Sequence, residues 1–290
     1  MIDDTGLILE GGGMRGAYTC GVLDFFHDQQ LDFPLVSTAS SGALIGSSYV
    51  ANQRGRNHKI LQELLKNKES ISFKRMILEK ELFNMDYIFN QIPNQIVPLD
   101  FESFSTSAKS FVIGTTNLYD GNTIYFDQFR TEQDLLKIIQ ASSSLPILSK
   151  GVLYNQKKLM DGGISDPIPI QPSIDKGYQK HVVILTRNKG YVKKPTKLKW
   201  LFQTVFKEKP DFVRTLLYRH NKYNQTMAML EELVKENRVF IFQPEQPLTV
   251  SRIDKNHNKL EELYIQGYEE AKARYDELLF FLNNTKQTVS

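Results

Sequence analysis

The chain has 290 residues, 41% of them hydrophobic and 24% charged, which suits one large soluble α/β domain or two small ones. The formal net charge is +3, but residues 187–209 alone balance at +7 and leave −4 for the rest, which excludes a general nucleic-acid-binding surface. One cysteine, Cys20, excludes an internal disulfide and a cysteine-rich metal cage and fits a reducing compartment.

The opening stretch, MIDDTGLILEGGG, starts acidic and turns into glycines, which is not the pattern of a secretory signal. Within it, Gly6 to Glu10 reads as a buried strand and Arg15 to Gln29 as a helix. Phe33 to Thr38 reads as a second strand and Gly42 to Ala51 as a second helix, rich in small residues. This strand–glycine turn–helix rhythm, given twice, predicts a parallel sheet covered on both faces.

Residues 52–110 are expected to form a helical insertion or cap, since the segment is too short to bury a core of its own. In it HKILQELLKN and FKRMILEKELFN predict amphipathic helices, and QIPNQIVPLDF predicts a loop broken by prolines. Phe111–Thr116 and Asn122–Phe126, either side of LYDG, predict a hairpin. A helix over EQDLLKIIQAS and short strands up to LMDGG follow. His181–Thr186 and Val239–Phe242 are apolar enough for buried parallel strands, and the heptad-like apolar positions from Leu260 to Leu282 predict one long helix. Residues 187–290 thus read as a mostly helical part with one late strand. No apolar run reaches the roughly 18 residues that span a bilayer. With no repeat or linker, the expectation is a single domain over 1–290, cytoplasmic, with peripheral membrane contact through 187–209.

Three stretches carry the chemistry. In LILEGGGMRGAY, Gly11, Gly13 and Gly16 satisfy the spacing of a dinucleotide turn, with Asp32 some sixteen residues on. The same turn offers backbone N–H groups to any anion, including the oxyanion of an acyl transfer. In STASSGAL, Ser40 has one of the two glycines of a nucleophile elbow, Gly42, while Thr38 stands where the other belongs. In KLMDGGISDPIPI, Asp161 ends an apolar approach and precedes two glycines, a pattern that also makes plain hairpin turns. Five histidines (His27, His58, His181, His220 and His257) lack glycine framing and read as structural, and no Cys/His spacing suits a metal.

Taken in this order, GGGMRGAYTCGVL, STASSGAL and LMDGGISDPIPI resemble the patatin-like phospholipases, with VIGTTNLYDG and ASSSLPIL matching in kind between them. The resemblance covers roughly residues 6–186. It implies a three-layer α/β/α fold with a central, mainly parallel sheet. It also implies a Ser40 nucleophile, an Asp161 base, and an oxyanion hole from Gly11, Gly12, Gly13, Met14 and Arg15, with Arg15 anchoring the loop. The substrate would be a phospholipid, lysophospholipid or acylglycerol, with no metal or cofactor. Two other readings stay open: a Rossmann-type nucleotide-binding protein, and a silent lipid-binding relative.

Overall fold

The computed structural model describes residues 2–284. Eight strands form its sheet: β1 (Thr5–Leu9), β2 (Leu35–Ala39), β3 (Ser110–Asn117), β4 (Thr123–Phe126), β5 (Val152–Tyr154), β6 (Lys157–Asp161), β7 (Lys180–Ile184) and β8 (Val239–Phe242). The order β5-β6-β3-β2-β1-β7-β8 has a parallel centre, β3-β2-β1-β7-β8, while β4, β5 and β6 join antiparallel.

The period-2 alternation of the strands sorts the core into two layers. Leu7, Leu9, Val182 and Ile184 face one side, where they pack with helices α1 (Ala17–Asp28) and α2 (Ser41–Val50). Ile8, Val183 and Leu185 face the other, against Ile168 and Ile170 and against Tyr223 and Leu230, which lie on a long helix, Pro210–Lys235. This is the three-layer arrangement expected from the sequence.

The segment after α2 is helical but departs from the sequence reading in two places. Helix α3 (Arg56–Lys66) forms as expected, whereas α4 stops early, Phe73–Glu79, at Lys80 with φ +60°. The residues beyond it turn back, and Phe83 bridges Ile71. The loop expected at 91–101 is instead a π-helical segment, Tyr87–Ile96, that contains Pro93. Its wide turns tolerate a residue without an N–H, and the Val97 N–H donates five residues back to Ile92. The apolar face of Tyr87, Ile88, Phe89 and Ile92 holds it against the core. The short α5 (Phe101–Ser105) leads into β3.

In the chain α6 (Glu132–Ser142) precedes β5 and β6, and α7 (Gln171–Asp175) lies between β6 and β7. Later come α8 (Lys199–Val205), then α9, the helix Pro210–Lys235, and after β8 the helices α10 (His257–Ala273) and α11 (Tyr275–Asn283). The single C-terminal helix expected from the sequence is thus two, broken at Arg274. That side chain donates to the Ile241 carbonyl at 2.7 Å and stacks on Phe240, so the chain bends to follow the sheet edge. Among the described residues no helix is long and apolar enough to cross a membrane.

Candidate active site

Ser40 stands alone between β2 and α2, at φ +56° and ψ −132°, a conformation that costs a non-glycine residue about 1–3 kcal/mol. The turn that imposes it lifts the side chain to the carboxyl end of the sheet, where open α/β folds place ligands. Ser40 Oγ donates to Asp161 Oδ2 at 2.6 Å. The elbow's own N–H donates to Ser142 Oγ at 2.8 Å, and Ser142 in turn donates to the Gly114 carbonyl at 2.6 Å.

Asp161 reaches Ser40 because of how β3 shares its edges. Ile113 and Gly114 pair with β2 and β4 at once, and Thr115 and Thr116 pair with β4 and β6 at once. Strands β2 and β6 therefore abut end to end along the same edge of β3. Ser40 follows the last residue of β2 and Asp161 is the last residue of β6, so the two meet at the junction. Asp161 is 1% exposed; its Oδ1 accepts from the Gly163 N–H at 2.8 Å, and its carbonyl accepts from Thr116 Oγ1 at 2.8 Å. One carboxylate oxygen is thus pinned by the turn and the other aimed at the serine.

The glycine loop lies beside this pair. A Cβ on Gly11 would stand 2.6 Å from Ser40 Cβ and 2.8 Å from the Ala39 carbonyl, so only glycine lets the loop lie this close to the elbow. Gly13, at φ +59°, starts a 3₁₀ turn (Gly13–Gly16) that leads into α1. The Gly12 N–H donates to Ser41 Oγ at 2.9 Å and the Met14 N–H to the Arg252 carbonyl at 3.1 Å. Among the described residues, no protein acceptor meets the Gly11 or Gly13 N–H. Arg15 points the other way, under the loop: it is 2% exposed, and its Nε donates to the Thr186 carbonyl at 2.9 Å. Glu10 accepts from the Thr186 N–H at 2.6 Å, so Thr186 ties the two flanks of the loop together.

Ser40, Ser41, Asp161, Gly11, Gly12, Gly13 and Met14 all line one cleft, whereas Arg15 does not. The remaining wall is mostly apolar, and much of it comes from 52–110: Ile60, Leu61, Leu64, Ile71, Phe83 and Ile88 are among the lining residues. No histidine lines the cleft. His181 is buried beside Ser173, and His58 pairs with Glu261. Among the described residues no group of acidic, histidine or cysteine side chains could hold a metal ion. Asp32, which a dinucleotide site would need at the carboxyl end of β2, precedes that strand and pairs with Lys109 at 2.7 Å.

The sequence reading passed over three groups here. Ser142 sits in the quoted ASSSLPIL stretch, where three successive serines after a helix were the available signal. Ser41, next to the elbow serine, orients the glycine loop. Arg219 and Arg252 line the cleft with no local motif to mark them.

The family model described as patatin-like phospholipase matches residues 7–174, and a model described as a domain of unknown function (DUF6363) matches 209–283. The chain is 29% identical over 251 residues to the uncharacterized protein YjjU of Escherichia coli K12, covering 83% of this chain and 69% of that protein. Among solved structures, VipD from Legionella pneumophila aligns with a TM-score of 0.49 at 12% identity, covering 95% of this chain and 67% of VipD.

Proposed function

The chain belongs to the patatin-like phospholipase family, and on that premise we propose that it hydrolyses carboxylic esters of lipids through a Ser40–Asp161 dyad. The observation that carries this reading is the 2.6 Å hydrogen bond from Ser40 Oγ to Asp161 Oδ2 on a strained elbow, at the end of an apolar cleft.

In the proposed reaction the acyl chain lies under the 52–110 cap and brings its ester carbonyl over Ser40. Asp161 takes the hydroxyl proton as Oγ attacks, and a tetrahedral intermediate forms. Its oxyanion faces the glycine loop, where the Gly11 and Gly13 N–H groups, supported by the amino end of α2, supply fixed dipoles. Arg15 and Thr186 hold that loop from beneath. The alcohol leaves with the proton that Asp161 had taken. Water then attacks the acyl-enzyme, with Asp161 again as base, and Ser40 regains its proton. Because Asp161 is buried and pinned by the Gly163 N–H, it keeps one orientation through both halves.

The whole chain acts as one unit in this proposal, with 52–110 as the acyl cap. A peripheral contact with an anionic membrane through 187–209 is part of it. The exposed Leu198, Trp200 and Val205 stand among the exposed Lys194, Lys197 and Lys199, the mixture of rings and cations that settles at a headgroup layer. Unchanged liposome binding after charge reversal of those three lysines would count against it.

The test of the hydrolase reading is labelling with a fluorophosphonate probe, followed by location of the modified peptide by mass spectrometry. The expected adduct is on Ser40, lost in Ser40→Ala and strongly slowed in Asp161→Asn. A folded wild-type protein that takes no label would overturn the proposal in favour of a silent lipid-binding role.

A further inference from the structure

The polar end of the cleft is walled by basic side chains that the dyad does not use. Arg219 of α9 and Arg252, beyond β8, line it directly with Ser40 and Asp161. A Cβ on Gly163 would lie 3.3 Å from an Arg219 terminal nitrogen, so that guanidinium sits against the turn that holds Asp161. Arg252 lies over the glycine loop, its carbonyl accepting from the Met14 N–H at 3.1 Å.

Behind them stand Lys193 and Arg187. The backbone of Lys193 is clamped to α9 by paired hydrogen bonds with the Asn224 side chain, at 2.9 and 3.0 Å. Its ammonium lies 4.6 Å from the centre of the Tyr223 ring, and the Arg187 guanidinium 4.3 Å from that of Tyr191. The sequence reading set Lys193 on a membrane-facing surface, but it is half-buried and turned inward.

Among the described residues these cations have no anionic partner. Every ion pair among the described residues lies elsewhere. Arg219 Nε is buried with no hydrogen-bond acceptor. The acids that act on the group are Glu10, whose Oε2 accepts from the Thr186 N–H, and Asp161, which is engaged by Ser40 and Gly163. Burial and repulsion from neighbouring cations press on Lys193 and Arg219. Desolvation, then Arg219 and Arg252, push the Lys193 ammonium down to about 6, and desolvation, then Arg252, push the Arg219 guanidinium down to about 10. Half-buried like charges without counterions are costly, and a ligand that supplies the missing charge relieves that cost.

Resting on the hydrolase reading above, we propose that Arg219, Arg252 and Lys193 form an anion-binding wall that takes the phosphate of an acyl-ester substrate. The wall selects phosphate-bearing lipid esters over neutral acylglycerols. It is built entirely from residues after 174, beyond the stretch matched by the patatin-like model, and Arg219 and Arg252 lie in the 209–283 match of undescribed function. The placement fits the chemistry: an acyl chain under the cap and a carbonyl at Ser40 leave the alcohol moiety of the ester pointing to the polar end. A guanidinium pair suits a phosphate, with each fork donating two parallel N–H groups.

Two measurements test the proposal. First, kcat/KM is compared for lysophosphatidic acid and for a monoacylglycerol with the same acyl chain, in wild type, Arg219→Gln, Arg252→Gln and Lys193→Met. The ratio favouring the phosphate-bearing ester is expected to fall at least tenfold in each arginine variant and several-fold in Lys193→Met. An equal loss for both esters, or no change in the ratio, would overturn it.

The second measurement needs no turnover and so stands even if the hydrolase reading fails. The Tm of Ser40→Ala is followed with lysophosphatidic acid, monoacylglycerol, glycerol 3-phosphate and inorganic phosphate. Lysophosphatidic acid is expected to raise the Tm most, with the gain lost in Ser40→Ala carrying Arg219→Gln. An equal shift from inorganic phosphate would assign the wall to a free anion and overturn the headgroup reading, as would an equal shift from monoacylglycerol.

Discussion

The methyl of Thr38 occupies the space that Gly46 leaves open: a Cβ on Gly46 would stand 3.1 Å from Thr38 Cγ2. The hydroxyl of Thr38 donates to the Val112 carbonyl at 2.9 Å, so the side chain is both packed and satisfied. The elbow thus keeps its tight turn without a first glycine, because the next turn of α2 supplies the clearance. Thr38→Gly is expected to lower stability by about 1–3 kcal/mol, through a lost hydrogen bond and a small cavity. Its kcat should stay within about threefold of wild type. Urea denaturation beside ester hydrolysis measures both, and a large gain in kcat would show that Thr38 does obstruct the elbow.

Removing the base should separate chemistry from folding. Asp161→Asn preserves shape and can still accept from the Gly163 N–H, but cannot take the proton of Ser40. A loss in kcat of about 10²- to 10⁴-fold is expected, with a Tm close to wild type. Activity within tenfold of wild type would remove Asp161 from the mechanism.

Gly11 is a steric prediction. An alanine there would meet Ser40 Cβ and the Ala39 carbonyl, both under 3.0 Å and neither free to swing aside. Gly11→Ala should displace the glycine loop, cost about 1–3 kcal/mol as overpacking does, and suppress fluorophosphonate labelling at least tenfold. Full labelling at the wild-type rate would show that the loop has room to shift.

The cap should set chain length. Leu64 is a half-buried lining residue of α3, so a larger ring there fills the acyl space without touching Ser40. For Leu64→Trp, hydrolysis of long-chain esters should fall at least tenfold relative to short-chain esters. A profile that keeps its shape would place the acyl chain elsewhere.

The two groups displaced most between about pH 4 and 6.5, Asp166 and His181, act on stability in opposite directions. Burial lifts Asp166, which accepts from the Tyr125 hydroxyl, to about 6. The folded state therefore binds the extra proton between about pH 4 and 6, and stability from this group falls as pH rises through that window. Burial and Arg238 lower His181 to about 4. Here the unfolded state binds the extra proton, and stability rises with pH from about 4 to 6.5. Each contribution is worth up to about 3 kcal/mol, so they nearly cancel. Asp166→Asn should unmask the second: between about pH 4 and 6.5 the Tm of the variant climbs with pH more steeply than that of wild type. Parallel profiles for the two proteins would falsify this account.

The features that the sequence by itself determined are those written in short windows. Near-continuous apolar runs specify strands with two buried faces, glycines after β1 specify a turn that must lie close to a neighbour, and a serine before a small-residue helix specifies an elbow. Each depends on residues within about ten positions, where steric rules act directly on the chain. Pro93 and Arg274 show the limit even there. The burial of an apolar face carried Tyr87–Ile96 through a proline, and a contact with β8 bent a helix that its own periodicity ran straight.

What only the tertiary structure decided is which distant groups meet. Asp161 stands 121 positions from Ser40, and their hydrogen bond exists because β2 and β6 share one edge of β3. Thr38 and Gly46, though only eight positions apart, compensate each other because α2 packs back on β2. The basic wall draws Lys193, Arg219 and Arg252 from a loop, a helix and another loop; only Lys193 lies in a run that its charge marks out, and nothing local joins it to the other two. Charge acts through space, and its cost depends on burial, so a cluster of this kind has no signature until the chain is folded around it.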